Sequence, residues 1–156
     1  MYYRITIGIC NNRSNVFTIG FGRDFKRKGG DLVAESFKLV KTKYPDAELY
    51  IARPKNNPFS EKNDNDGIYF LGEQSRSDLV KLYNKCDIFC LPSRFEAYGL
   101  VIPEALVFGL PCIVRNDFSM KEFIQDGQNG YLIDSDDIEQ LALKMEQAYG
   151  DSNMKQ

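Results

Sequence analysis

The sequence predicts an open α/β fold: a parallel sheet of about six strands between two layers of helices. Short apolar runs of strand length alternate with amphipathic stretches of helical length along almost the whole chain. Each run ends at a glycine, a proline or a polar turn. This alternation implies that successive strands are joined by right-handed helical crossovers. The 156 residues suit one domain, and 43% apolar content is enough for a proper core.

Val16 to Phe21 is the first predicted strand, ending at Gly22. Leu32, Val33, Phe37 and Val40 recur at helical spacing within Asp31 to Lys43, and Pro45 stops that helix. Glu48 to Ala52 is the second strand, followed by an exposed loop from Arg53 to Asp66 rich in Asn, Pro, Lys and Asp. Gly67 to Leu71 is the third strand. Ser75, with Asp78 after it, reads as the N-cap of a helix running to about Asn84. Asp87 to Leu91 is the fourth strand, Val101 to Phe108 a short helix with Pro103 in its first turn, and Cys112 to Val114 the fifth strand. Ser119 to Gln125 is expected to be helical, Tyr131 to Ile133 a short sixth strand, and Ile138 to Tyr149 the last helix. Residues 150–156 form a polar tail.

Composition removes several function classes. A net charge of −2 argues against a general nucleic-acid binder. The absence of histidine excludes His-based triads and His zinc sites. The four cysteines, Cys10, Cys86, Cys90 and Cys112, form no C-x-x-C pair and read as buried reduced thiols, as in a cytoplasmic protein. No apolar run is long enough to span a membrane.

In a parallel sheet of this kind ligands sit beyond the carboxyl ends of the strands, which directs attention to the turns there. The first runs from Phe21 through Gly22, Arg23 and Lys28 to Gly29 and Gly30. Backbone N–H groups at a helix start, glycines that admit close approach and two cations suit a diphosphate; a solvated basic turn is the alternative. The turn after the fourth strand, Ser93 to Pro111, carries Glu96 and Glu104 in otherwise apolar surroundings. A carboxylate there needs hydrogen-bond donors, which vicinal sugar hydroxyls would supply. The plainer alternative makes Glu96 a solvated loop residue and Glu104 an ordinary first-turn glutamate.

Taken together, these turns resemble the donor-binding C-terminal domain of retaining GT-B glycosyltransferases, the group 1 or family 4 type, which use nucleotide sugars. Gly22-Arg23 with Lys28-Gly29, the Glu96-x7-Glu104 spacing, Glu104-Ala105 followed by Gly109-Leu110-Pro111, and Asp126-Gly127-Gln128-Asn129-Gly130 carry the resemblance, which spans Val16 to Tyr149. It implies a Rossmann-like three-layer α/β/α sandwich, one half of a GT-B fold, with residues 15–149 as the donor domain and 1–14 as the end of an interdomain crossing. It implies that Arg23 and Lys28 hold the donor diphosphate and offset its charge. Glu96 would contact the transferred sugar and Glu104 the ribose. Backbone groups of Gly99, Leu100 and Val101 would meet the sugar and phosphate, with Gly22 at the diphosphate turn, and those of Leu71 and Gly72 would meet the base. It also implies a UDP-, GDP- or ADP-linked sugar as substrate, no cofactor and no metal, and a cytoplasmic or membrane-peripheral location.

Two departures stand out: Ala52-Arg53-Pro54 lies where the family often has glycines, and Phe118-Ser119 lies near a common Gly-Gly pair. The acceptor-binding domain of such enzymes has no counterpart in the sequence, so the isolated chain is expected to be inactive in transfer. Its lost partner face should leave an apolar patch near Phe95 and Tyr98. The competing reading is a non-catalytic nucleotide-sugar-binding or subunit-docking module; a sugar-nucleotide epimerase shares the architecture and fits the motifs less well.

Overall fold

The computed structural model describes residues 24–56 and 66–151, together with the backbone of 15–19. Six parallel strands form one sheet: β1 (Asn15–Ile19), β2 (Glu48–Ala52), β3 (Ile68–Gly72), β4 (Ile88–Leu91), β5 (Cys112–Arg115) and β6 (Gly130–Ile133), in the order β3-β2-β1-β4-β5-β6. The helices are α1 (Gly30–Lys43), α2 (Arg76–Lys85), α3 (Val101–Val107) and α4 (Ile138–Gly150).

The strand register explains the three layers. Alternate residues of a strand face opposite sides of the sheet. Leu49, Ile51, Ile88, Cys90 and Ile113 point to one side, where Leu32, Val33, Phe37 and Val40 of α1 and Leu141 and Met145 of α4 cover them. Tyr50, Phe89, Leu91, Cys112 and Val114 point to the other, under Leu82 and Tyr83 of α2 and Ile102 and Ala105 of α3. Both faces of the central strands are therefore dry, which is why their sequences read as unbroken apolar runs.

The cap expected at Ser75 is present, and a second, at Asp137, was not foreseen. Ser75 accepts a hydrogen bond from the Asp78 amide, and Asp137 accepts one from the Gln140 amide at 3.0 Å. One expectation needs correction. The stretch expected to be helical from Ser119 to Gln125 is a short 3-10 turn, Met120–Phe123. Ser119 spends its hydroxyl on the Ala97 carbonyl at 3.0 Å rather than on a cap, and buried Ile124 is already extended. At the other end, Gly150 closes α4 instead of opening the tail. The proposed crossing segment 1–14, Gly22 and Arg23 lie outside the described residues.

The chain leaves β1 toward β2 and β3 on one side, and continues from β4 toward β5 and β6 on the other. β1 and β4 are therefore adjacent strands whose following loops diverge, and the crevice between those loops is where such sheets hold ligands.

Candidate functional site

Lys28 and Glu96 meet in that crevice. Lys28 belongs to the turn before α1, Glu96 to the loop after β4, and the Lys28 ammonium donates to Glu96 Oε2. The two side chains retain only 8% and 12% of their exposure. These two side chains are therefore not the solvated surface groups of the plainer alternative. The pair brings together two residues 68 positions apart that were singled out separately.

The two glycines at the start of α1 also have a packing role. Gly29 has φ 75°, and a Cβ there would lie 2.6 Å from the Pro92 carbonyl oxygen. A Cβ on Gly30 would lie 2.2 Å from the Phe25 ring. Their bare Cα atoms let the turn pack against the β4 loop and over Phe25. Gly99, at φ 60°, makes the left-handed step that leads from the Glu96 loop into α3.

Glu104 stands in the first turn of α3 and accepts a hydrogen bond from the Tyr83 hydroxyl at 3.2 Å. Burial, followed by the nearby Glu104 carboxylate, pushes the Tyr83 hydroxyl well above the usual tyrosine range, so it stays a donor. Glu104 and Val101 form one wall of a cavity of about 410 Å³ whose other walls are Ala52, Arg53, Glu73, Gln74 and Leu79. That volume falls in the range of small-ligand pockets. Gly99 leads into α3, Leu100 is its N-cap and Val101 opens its first turn, where backbone N–H groups have no intrahelical acceptor.

Leu71 and Gly72 turn polar backbone groups toward partners within the chain. The Gly72 amide donates to the Pro54 carbonyl at 3.0 Å, its carbonyl accepts from the Arg53 amide at 2.6 Å, and the Leu71 carbonyl accepts from Gln74 Nε2 at 2.9 Å. At this corner the cavity wall is made by Glu73 and Gln74 instead.

The two departures from the family's glycines leave a mark on the backbone. Among the described residues, Arg53 (φ 88°) and Phe118 (φ 51°) are the non-glycine residues with positive φ. Both positions hold a side-chain-bearing residue in a left-handed conformation, which costs roughly 1–2 kcal/mol. Arg53 lies in the cavity wall.

The residues that hold the crevice together were missed by sequence reasoning. Arg94 forms a fork with both oxygens of Asp31 at 2.7 and 3.0 Å and reaches Asp136 Oδ2 with Nε at 2.7 Å. Arg115 pairs with the other oxygen of Asp136 and donates to the Ser93 carbonyl at 3.1 Å. Burial tends to raise Asp136, but the hydrogen bonds from Arg94 and Arg115 outweigh it and hold the carboxyl below the usual aspartate range. Among the described residues no group of three or more His, Cys, Asp or Glu side chains could hold a metal ion. No helix there is long and apolar enough to cross a membrane.

The sequence family described as glycosyl transferases group 1 matches residues 11–156. The chain belongs to this family. Its relatives include an uncharacterised glycosyltransferase of Haemophilus influenzae, 29% identical over 134 residues, a match covering 81% of this chain and 37% of the relative. Among solved structures, the C-terminal domain of a glycosyl transferase group 1 family protein from Francisella tularensis superposes with a TM-score of 0.76 at 25% identity. That match covers 91% of this chain and 78% of the domain. A pneumococcal O-GlcNAc transferase, solved with UDP and GlcNAc, gives a TM-score of 0.73 at 27% identity over 86% of this chain and 28% of its own. The group 1 glycosyltransferase chain thus has the Rossmann-like architecture of a GT-B C-terminal domain, and it spans little more than a third of the length of the Haemophilus relative.

Proposed function

We propose that this chain is the donor-binding half of a retaining glycosyltransferase. It takes a nucleotide sugar with the nucleoside in the Glu104 cavity and the diphosphate and sugar at the Lys28–Glu96 pair. The single observation that carries this reading is the meeting of Lys28 and Glu96 at the β1/β4 switch point. A cation suited to phosphate and a carboxylate suited to sugar hydroxyls, side by side where such sheets bind ligands, support the reading.

The chemistry at each position follows from the groups present. An ammonium has three N–H donors, so Lys28 can keep Glu96 and still take a phosphate oxygen. As the sugar–phosphate bond breaks, negative charge grows on the leaving diphosphate, and a fixed cation there stabilises the transition state more than the ground state. Arg23 joins Lys28 in this role by its place in the family motif. Glu104 accepts from the ribose hydroxyls while Tyr83 fixes its orientation. Each charge-assisted contact contributes about 1.5–3 kcal/mol.

Transfer needs an acceptor site facing this surface. Phe95, Tyr98, Leu100 and Phe118 offer the apolar rim for it, at 51%, 73%, 72% and 40% exposure. A thermal-shift panel of UDP-, GDP- and ADP-sugars tests the reading. A ligand at a hundred times its dissociation constant adds about 2.7 kcal/mol, which raises the midpoint by roughly 5–11 °C for a chain of this size. A panel in which no sugar nucleotide shifts the midpoint counts against it. Binding without transfer, even with an acceptor domain supplied in trans, would favour the non-catalytic module.

A further inference from the structure

We propose that Arg94 is a positioning residue for donor binding: its guanidinium holds the Lys28 turn against the Glu96 loop, so that cation and carboxylate face the same ligand. The inference rests on the donor-site reading above.

β1 and β4 pair through Val16 with Ile88 and Phe17 with Phe89, and the residues that carry the chemistry lie well past those pairs. What joins them is Arg94 and its neighbours. The Arg94 amide donates to the Arg27 carbonyl at 2.8 Å, Arg94 Nη1 donates to the Lys26 carbonyl, and Arg27 Nη1 returns a bond to the Phe95 carbonyl at 3.2 Å. Residues 26–28 and 94–96 are thereby laced together, and the Lys28–Glu96 pair closes the seam.

The guanidinium also fixes the seam to the frame. Its fork on Asp31 ties it to the first turn of α1, and its Nε bond to Asp136 ties it to the loop after β6, where Arg115 from the end of β5 takes the other carboxylate oxygen. One planar group therefore spans three separate loops of the ligand-binding edge. With 28% of its side chain exposed, Arg94 is not a free cation awaiting phosphate; its donors are already directed at protein oxygens. Lysine cannot take its place, because a point charge cannot form the fork on Asp31 and reach Asp136 at once.

The test uses the full chain, with Arg94→Lys and Asp31→Asn, and isothermal titration against three pairs: UMP and UDP-glucose, GMP and GDP-mannose, AMP and ADP-glucose. In the wild type, the nucleotide sugar of the preferred pair should bind more tightly than its monophosphate, and that ratio measures the contribution of the second phosphate and the sugar. Arg94→Lys should lower the ratio tenfold or more while leaving monophosphate affinity within twofold, and Asp31→Asn should lower it in the same sense. A purely structural staple would depress both ligands in parallel. Parallel loss, or an unchanged ratio, overturns the inference while the donor-site reading stands. A wild type that binds no member of any pair removes the donor-site reading and this inference with it. Should Arg94→Lys give no cooperative thermal transition, the Asp31→Asn ratio decides.

Discussion

Removing the Lys28 side-chain charge should cost far more than removing an ordinary surface lysine. In Lys28→Met the Glu96 carboxylate, 12% exposed, would be left without its ammonium. Breaking a buried ion pair from one side costs about 3–5 kcal/mol, whereas an exposed pair contributes about 0–1 kcal/mol. Because both side chains retain slight solvent contact, the lower end applies, about 3 kcal/mol. With a urea m-value of about 2 kcal/mol/M, the unfolding midpoint should fall by about 1.5 M. Circular dichroism during urea titration reads this directly, with m unchanged. Glu96→Gln in the same background completes the cycle: with no carboxylate left to strand, the double variant should regain about 2 kcal/mol of the loss. A Lys28→Met protein within about 0.5 kcal/mol of wild type would place Lys28 among ordinary surface positions. That result, or additive losses in the cycle, would refute the buried-pair account.

Three further outcomes follow from particular contacts. Gly30→Ala puts a methyl 2.2 Å from the ring of buried Phe25 and should lower stability by about 1–3 kcal/mol, measured by the same urea titration. Asp136 has a depressed pKa when folded, so the stability it contributes is present above the ordinary aspartate pKa and is lost as pH falls through the folded value. Asp136→Asn should therefore flatten the acid limb of a stability–pH profile, and a limb of unchanged steepness would contradict the assignment. Burial drives the thiols of Cys86, Cys90 and Cys112 far above their usual range, so mass spectrometry should find all three unmodified by a thiol reagent at pH 8 and all three modified in urea.

The strands were legible because both sheet faces are covered, which writes each one as a short apolar run: Ile88 to Leu91 and Cys112 to Val114 are buried residue by residue. The caps at Ser75 and in part the helix stops were legible because their chemistry is local. Glu96 and Glu104 could be singled out as carboxylates in apolar company, and Lys28 as part of a cationic turn. Their alignment could not, since Lys28 and Glu96 are 68 positions apart and meet only through the strand order. The Arg94 hub was hidden for the same reason: Asp31 and Asp136 lie 63 and 42 positions away. The packing role of the glycines at 29 and 30 was hidden because a sequence does not say which atoms will stand over a bare Cα; Pro92 and Phe25 do. The Met120–Phe123 turn read as a longer helix because apolar spacing alone does not record that Ser119 bonds elsewhere.

The most direct test of the donor-site reading is calorimetric titration of the wild type and of Glu104→Ala with UDP-glucose, GDP-mannose and ADP-glucose. Loss of one charge-assisted contact of about 1.5–3 kcal/mol corresponds to a tenfold or greater loss of affinity. The account predicts saturable binding of at least one of the three by the wild type and that tenfold or greater weakening in Glu104→Ala, measured at a temperature where the variant is folded. No measurable binding of any nucleotide sugar by the wild type, or equal affinity in the two proteins, would contradict it.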